Sequence, residues 1–306
     1  MPKTLSSISL LIILLFSIHQ VKAQQDPLYS QYHFNQQVIN PAYTGIVGNT
    51  NVSFISRLQW LGGVEGNPIT NTLSAQTTIV NNKVGLGAIL VQDNLGVANN
   101  FEAHITYSYK ISWADKVFSF GMQTSLISVN YHFDDLNLKS TSDPAFQGGS
   151  QSSTQPNFGA GLALMSDHYF IGISVPRLLN SEFSDGVTSN LRYKRHFYGS
   201  LAYLIDINSV FKLKPSVLVR VVEGAPVSYD INSMLLINNM FWAGAFTRDF
   251  KSVGLMFQFD YKNAYRFGYN FELPVVAGLS SFTTHEFLLS IDMGLFGEQD
   301  VFERYF

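Results

Sequence analysis

The feature that most constrains this fold is a regular alternation of apolar and polar residues in segments of roughly ten residues, repeated almost to the end of the chain. Segment 101–113 shows it most clearly, because its odd positions are mainly aromatic or aliphatic and its even positions are polar or charged. Successive side chains of a β-strand point to opposite faces of a sheet, so the pattern predicts strands with one apolar face. A soluble β-sandwich also alternates, but aromatic residues gathered at the ends of apolar faces are typical of a transmembrane β-barrel.

The composition agrees with a membrane protein that lacks transmembrane helices. The chain is 46% hydrophobic and 14% aromatic, yet after residue 23 no apolar run reaches the roughly 18 residues of a spanning helix. A chain that crosses lipid without helices must close its backbone hydrogen bonds as a barrel. The absence of cysteine excludes disulfides, thiolate-bound zinc and the lipid-modified cysteine of a lipoprotein. A net charge of −3, with 13% charged residues, argues against nucleic acid as a partner.

The first residues of the chain have the pattern of a secretory signal peptide. Lys3 supplies a positive n-region, residues 5–18 are mainly apolar, and Ala23 is the small residue expected at a cleavage site. The alternative is an uncleaved membrane anchor, but the stretch is short and lacks a basic stop-transfer flank. The predicted division of the exported protein is a signal peptide over residues 1–23, an N-terminal extension over 24–48 and one barrel domain over 49–306.

The alternating segments predict an all-β fold, a transmembrane antiparallel β-barrel of about 14 strands with a short N-terminal extension. We expect short polar turns on one rim, facing the periplasm, and longer loops on the other, facing outward. The predicted strands are 51–60, 69–79, 83–92, 101–113, 117–131, 158–166, 168–176, 193–207, 212–223, 227–238, 240–248, 252–262, 264–273 and 284–294. The predicted turns are Asn81-Asn82, Asp115-Lys116, Asp167-His168, Asn238-Asn239 and Asp249-Phe250-Lys251, and the predicted long connections are Asn94 to Asn100, Phe133 to Asn157, Arg177 to Arg192 and Pro274 to Thr283.

The alternation also assigns side chains to the two faces of the barrel wall. Rows of large apolar residues should face lipid, with Tyr and Trp near strand ends, where their amphipathic rings suit the membrane interface. The opposite rows carry charges of both signs, which favours a salt-bridged interior over a selectivity device. The residues predicted to line the lumen include Arg57, Gln59, Glu102, Lys110, Lys214, Arg220, Asp230, Asn232, Gln258, Asp260, Arg266, Glu272, Glu286 and Asp292.

Catalytic and metal chemistry find little support in the sequence. His132 with Asp134 and Asp135 could suggest a metal site, but three polar residues at the start of a long connection are more typical of a solvated loop. An outer-membrane lipase would need a Ser/His pair with an orienting third residue. His285, on the predicted lipid face, is the one candidate for such a role. We therefore predict no enzyme activity, no catalytic residue, no metal and no cofactor.

The segment before the first strand brings in a specific resemblance. Residues 25–35 read QDPLYSQYHFN, and residues 39–45 read INPAYTG. Together with RLQWLG at 57–62, the Gly85 and Gly87 pair, THE at 284–286 and the terminal RYF, they resemble the PorP/SprF family of Bacteroidetes type IX secretion membrane proteins. The chain departs from the family pattern at residues 36–38 and at Thr284. The residues that we take as family-motif or partner-binding candidates are Tyr29, Tyr32, Phe34, Asn35, Asn40, Pro41, Tyr43, Gly45, Arg57, Gln59, Trp60, His285 and Glu286.

The resemblance implies a non-enzymatic protein of the Gram-negative outer membrane. Members of this family belong to the type IX secretion and gliding motility machinery. Some look like a core component of the translocon, and others help to secrete and attach one large adhesin through its C-terminal domain. The implied partners are outer-membrane lipid, an adhesin or other C-terminal-domain cargo, and type IX secretion lipoproteins. The alternative, suggested by the barrel and its polar lumen alone, is a passive solute channel or lipid-type transporter.

Two regions carry open alternatives. Asn40-Pro41 predicts a turn, and Tyr29, Tyr32 and Phe34 would then either fold back to plug the periplasmic mouth of the barrel or pack as a simple extension against its wall. The connection from Phe133 to Asn157 would either order on a protein partner or remain a solvated loop.

Overall fold

The computed structural model describes residues 29–46, 48–62, 66–132, 151–184, 190–262, 264–276, 282–294 and 305–306. None of the helical segments in these ranges is long and apolar enough to cross a membrane. The strands are β1 (Thr50–Leu61), β2 (Ile69–Ile79), β3 (Val84–Leu95), β4 (Ala98–Trp113), β5 (Lys116–Tyr131), β6 (Gln151–Met165), β7 (Tyr169–Val175), β8 (Ser181–Ser184), β9 (Asn190–Tyr193), β10 (His196–Tyr203), β11 (Ile205–Asp206), β12 (Phe211–Val222), β13 (Ser228–Ile237), β14 (Phe241–Arg248), β15 (Ser252–Tyr261), β16 (Tyr265–Pro274) and β17 (Thr283–Met293).

The wall is a closed antiparallel barrel of 14 strands, as the sequence predicts. Each wall strand pairs with its neighbours in chain order, and β17 returns to pair with β1, so the sheet has no open edge. The predicted strand 193–207 occupies one position in the wall but is broken into β10 and β11, which both pair with β12. The break falls at Leu204, whose backbone N–H donates to the carbonyl of His168 instead. Strands β8 and β9 form a separate hairpin between β7 and β10.

The predicted alternation between short turns and long loops is only partly correct. Six short connections lie on the rim where β1 begins and β17 ends, which we call the short-turn rim. The opposite rim, called the loop rim, carries the segment 132–150, most of which lies outside the described residues. The loop predicted from Asn94 to Asn100 was wrong, because β3 and β4 stay paired up to Leu95 and Ala98. Gly96 makes that two-residue turn possible, since it adopts a positive φ of 56°.

The two faces of the wall are those that the sequence predicts. Large apolar side chains such as Phe257 and Leu289 project outward and are about half exposed, whereas alternate positions are buried inside. Trp113 and Tyr261 lie at the ends of their strands on the short-turn rim, also on the outer face. Inward-facing polar side chains are so numerous because the lumen is filled by protein and not by lipid. Most of the charged and amide side chains predicted to line it, from Arg57 on β1 to Glu286 on β17, are buried inside.

Residues 29–46 lie inside the barrel and form a plug. The segment contains three 3-10 helical turns, Gln31–His33, Gln36–Val38 and Pro41–Tyr43, and nearly all of its residues are buried. The structure thus decides between the two alternatives for the N-terminal segment: it is a plug. The sequence interpretation placed such a plug at the periplasmic mouth, whereas the segment runs from the loop-rim half of the lumen to the short-turn rim.

Candidate functional site: the plugged lumen

The plug takes its shape from the Asn40-Pro41 turn. Pro41 is the first residue of the third 3-10 turn, where a missing N–H costs nothing. The side-chain oxygen of Asn40 accepts a hydrogen bond from the backbone N–H of Ala42 at 2.9 Å and so caps the turn. The side-chain amide of Asn40 also donates to the carbonyl of Leu162 on the wall, at 3.1 Å. The turn that the sequence predicts is confirmed, and the same side chain anchors the plug.

The plug is held along its length by small polar groups of the wall. Hydroxyls of the wall donate to plug carbonyls, and plug side chains reach hydroxyls in return. The closest of these contacts fall between 2.5 and 3.0 Å, and each is an uncharged hydrogen bond. The pairs are Tyr29 with Thr72, Asn35 with Ser74, Gln37 with Thr106, Ile39 with Ser174, Ala42 with Ser119, and Thr44 with Thr106 and Ser108.

Inward-facing glycines of the wall leave the space that the plug occupies, and we call these positions the glycine seat. A Cβ atom on Gly121 would overlap the backbone of Pro41 and Ala42, and one on Gly85 would overlap the carbonyl of Thr44. The plug backbone can lie against the wall only because these side chains are missing. Side chains of the plug likewise lie where a Cβ atom would stand on four further glycines of the wall: Gly87, Gly161, Gly172 and Gly268.

A ladder of alternating charges fastens the start of the plug in the loop-rim half of the lumen. The Arg57 guanidinium lies 3.0 Å from a Glu272 oxygen and 2.9 Å from a Glu286 oxygen. Arg248 continues the ladder, pairing with Asp230 at 3.0 Å and with Glu272 at 3.4 Å. All five side chains are largely buried, so each charge depends on its neighbours for compensation.

The plug reaches this ladder through its own backbone. The N–H groups of Ser30 and Gln31 donate to the two carboxylate oxygens of Glu286 at 2.9 and 2.6 Å. Hydrogen bonds to a charged acceptor are among the strong ones in proteins, so this is a firm anchor. The carboxylate of Glu286 therefore joins the plug to Arg57 on the wall.

A lysine of the wall holds the end of the plug, and a buried histidine lies near its start. Near the short-turn rim, Lys110 donates to the carbonyl of Gly45 and to Asn82, the latter at 2.7 Å. His33 lies in the plug, outside the membrane-spanning strands, and burial together with the charges of Lys214 and Arg248 holds its pKa well below the usual range. His33 is therefore neutral in the seated plug.

A strap from the loop rim, residues 176–180, folds inward over the plug. One Nη atom of Arg177 lies 2.7 Å from both carboxylate oxygens of Glu102, and His104 lies 3.0 Å from the same carboxylate. Gln123 holds the strap backbone by donating to the carbonyl of Pro176 at 2.8 Å. A cavity of about 60 Å³ remains between the strap and the plug, room for a few water molecules.

The candidate residues that the sequence singles out fall into two groups. The eight in the N-terminal block, from Tyr29 to Gly45, are buried in the plug, and Arg57 and Glu286 belong to the ladder that holds it. Gln59 lies near the loop rim, half-buried, and its backbone N–H donates to Pro68 at 2.9 Å. Trp60 projects outward with a positive φ of 60°, at an irregularity in the pairing of β1 with β17. Partner binding by any of these residues stays a prediction.

His285 lies on the outer face, as the sequence predicts. Its ring nitrogens lie 2.8 Å from the Tyr269 hydroxyl and 3.1 Å from the Thr283 hydroxyl. This cluster, within the described residues, contains neither a serine nor an acid in contact with the imidazole. Nor do those residues include a group of His, Asp and Glu side chains able to hold a metal ion. Asp134 and Asp135, the other metal candidates, lie outside them.

Sequence reasoning missed several residues of this site. Arg248 and Trp242 were not assigned to the lumen, and of the inward glycines only Gly85 and Gly87 were noted, as family motifs. The alternation along each strand could have revealed these glycines. Gly121 and Gly161 occupy inward positions on strands whose outward side chains are mostly large and apolar. A run of missing side chains on the lumen face indicates that another backbone approaches there.

The comparison with family profiles decides what kind of barrel this is. The profile described as "Type IX secretion system membrane protein PorP/SprF" matches residues 21–291. The chain belongs to the PorP/SprF family. This match covers the plug and almost the whole barrel, and it confirms the family that the N-terminal motifs predict. A comparison with curated proteins gave no match.

Solved structures of other membrane proteins resemble this PorP/SprF family member to different degrees. The CymD monoaromatic hydrocarbon channel matches with a TM-score of 0.52 at 10% identity, over 85% of this chain and 91% of that one. The toluene transporter TodX of Pseudomonas putida gives 0.47 at 10% identity, over 87% and 93%. A Pseudomonas aeruginosa FadL homologue gives 0.45 at 12% identity, over 88% and 95%. At such identities the CymD likeness bears on the barrel fold alone.

Proposed function

We propose that this PorP/SprF protein is a non-enzymatic docking barrel of the outer membrane that supports secretion and surface attachment of a large partner protein, an adhesin, through the partner's C-terminal domain. It acts within the type IX secretion and gliding machinery of a Bacteroidetes cell, after export with a cleaved signal peptide. Secretion-system lipoproteins are its further candidate partners. The observation that carries the proposal is the filled lumen.

The plug favours docking over transport. A barrel that passes solutes needs a continuous wet path, whereas residues 29–46 occupy this lumen with hydrogen bonds and close backbone contacts along their length. Partners then meet the protein at its rims or its lipid-facing wall. The loop rim carries the longest connections in sequence, residues 132–150 and the segment between β7 and β10 that contains the β8–β9 hairpin. We place adhesin docking on that rim.

The alternative is a passive solute channel or lipid-type transporter, favoured by the polar lumen wall. It requires the plug to leave or shift. Several of the wall contacts are single uncharged hydrogen bonds, but the Glu286 anchor and the glycine seat oppose release. We therefore rank docking first.

Affinity isolation of the tagged protein from outer membranes of its own organism tests the proposal. We expect mass spectrometry to recover a very large secreted protein or secretion-system lipoproteins with the barrel. Recovery of the barrel alone, together with a stable open-pore conductance, would favour the channel alternative.

A pair of loop variants sharpens the experiment. Replacing residues 134–149 by a short Gly-Ser linker should abolish recovery of the adhesin while the barrel stays folded and membrane-inserted. The matched control replaces residues 277–281 on the same rim and should leave recovery unchanged. Protease cleavage at Gly148-Gly149-Ser150 in intact cells tests whether the loop rim faces outward. Cleavage only after lysis would mean that this rim faces the periplasm.

A further inference from the structure

Tyr305 and Phe306 occupy a pocket at the short-turn end of the lumen. Both side chains are buried, with exposed fractions of 9% and 4%. They lie between the plug, β7 and β12, and their contacts use side-chain and backbone atoms alike. We call this site the mouth pocket and define it by Tyr43, Phe170, Lys212 and Lys214.

Two lysines of β12 bind Tyr305. Lys212 donates to the Tyr305 hydroxyl at 2.7 Å and also lies 4.3 Å from the centre of its ring. Lys214 donates to the Tyr305 carbonyl at 2.6 Å. The same ammonium lies 4.6 Å from the ring centres of Phe34, in the plug, and Trp242, on β14. The backbone and side chain of Tyr305 are thus both bound, partly by charge and partly by cation–π contact.

Phe306 is held by the plug and by β7. Its carbonyl accepts a hydrogen bond from the hydroxyl of Tyr43. Its ring stacks on Phe170 with centroids 6.5 Å apart, and Phe170 in turn meets the Tyr43 ring edge-on at 5.8 Å. The mouth pocket therefore offers two surfaces for aromatic rings and two donors for consecutive carbonyls.

The pocket is costly to leave empty. Lys214 is almost fully buried. Among the described residues, its ammonium donates a hydrogen bond to the carbonyl of Tyr305. A buried ammonium without an acceptor is strongly unfavourable, so departure of Tyr305 would leave a site that demands another carbonyl. Phe170 supplies the apolar part of the site, since its ring stacks on that of Phe306.

We propose that the mouth pocket is a peptide-binding site for a pair of adjacent aromatic residues, filled in cis by Tyr305 and Phe306. Its occupancy locks the plug, because Tyr43, which donates to the Phe306 carbonyl, belongs to the plug itself. Phe34, also in the plug, lies against the Lys214 ammonium that binds Tyr305. A peptide with the same chemistry binds in trans when the cis pair is absent. The proposal is independent of the docking function and of any cargo.

Peptide binding to the purified full-length barrel tests it directly. The variant carries Tyr305→Ser and Phe306→Ser, and the probe is a fluorescent peptide with the sequence of residues 302–306. Fluorescence anisotropy should show saturable binding to this variant and none to the unchanged protein. A shorter variant that ends at residue 304 serves if the double substitution does not fold, as judged by the gel mobility of unheated samples.

Substitutions within the pocket separate specific from adventitious binding. In the double-variant background, Lys214→Met and Tyr43→Phe should each weaken peptide binding by about tenfold or more, since each removes a donor to a peptide carbonyl. Lys262→Met removes an exposed charge on the same rim and should leave binding unchanged. Absence of peptide binding to a folded variant, equal binding to the unchanged protein, or insensitivity to Lys214→Met would each overturn the proposal.

A second experiment measures whether Tyr305 and Phe306 hold the plug in place. The chain has no cysteine, so Gln36→Cys places a single thiol in the buried plug. We expect maleimide to label it faster in the Tyr305→Ser, Phe306→Ser variant than in the unchanged protein, and the peptide to slow labelling again. Equal labelling rates in all three samples would show that the pair does not hold the plug.

Discussion

At the scale of single residues, missing side chains decide whether the plug can sit in the barrel. Gly121→Val should displace it, because a Cβ at that position overlaps the backbone of Pro41 and Ala42. Overpacking costs about 1–3 kcal/mol where neighbours can adjust, and hydrogen-bonded plug backbone adjusts poorly. Maleimide labelling of a Gln36→Cys thiol measures the displacement. Gly199→Val is the matched control, since a side chain there would meet open space. If labelling rises equally in both variants, the glycine at position 121 is not needed to hold the plug.

Buried charge makes Arg57 the most sensitive single position of the ladder. Arg57→Met should destabilise the folded barrel by about 3–5 kcal/mol, because Glu272 and Glu286 would each lose a cationic partner. The loss is measured as a lower temperature for the gel-mobility change that accompanies barrel unfolding. Lys251→Met removes an exposed positive charge and should change that temperature little. Equal temperatures for both variants would mean that the ladder contributes no stability.

At the scale of elements, the plug and the wall are separate parts that can be joined covalently. The Thr44 and Thr106 hydroxyls lie 2.9 Å apart, so cysteines at these positions should form a disulfide between plug and wall. A docking barrel keeps its function with the plug locked, because nothing passes through the lumen. We therefore expect surface attachment of the partner to be unchanged under oxidising conditions.

The control for this lock lies in the wall itself. Thr50 and Thr77 have hydroxyls 2.7 Å apart on β1 and β2, and the corresponding cysteine pair would join two wall strands without a bond to the plug. Loss of attachment in the plug-locked variant, reversed by a reductant and absent from the control pair, would mean that the plug must move during function.

The wall was predictable from the sequence, whereas the plug's path was not. Strand alternation has a period of two, so it fixes which side chains face lipid and which face the lumen once a strand is recognised. Asn40-Pro41 predicted a turn from local chemistry. Contacts such as Thr44 with Ser108 join residues far apart in sequence, and no local pattern encodes them.

Two strand boundaries at the loop rim were predicted wrongly for one reason. Beyond the lipid, β6 continues through polar residues from Gln151, although the prediction began this strand at 158. Backbone pairing with β5 does not require an apolar face, so the alternating signal ends before the strand does. The Asn94 to Asn100 loop was overestimated for the same reason.

At the scale of the whole molecule, the protein is a barrel closed around part of its own chain. Tyr43, near the end of the plug, meets Phe306 inside the lumen at its short-turn end. The outer face offers the apolar surface that lipid requires, and the inner face offers hydroxyls, amides and charges to the plug. In the proposed docking function, partners bind this body at its rims. The family match itself shows a PorP/SprF protein of the type IX secretion system.

The most direct test of the filled lumen is the conductance of the purified, intact protein in a planar lipid bilayer. We expect no stable open-pore current, because residues 29–46 occupy the lumen, and we expect current to appear when that segment is deleted. A large, well-defined conductance of the intact protein would contradict a docking barrel and favour a solute channel.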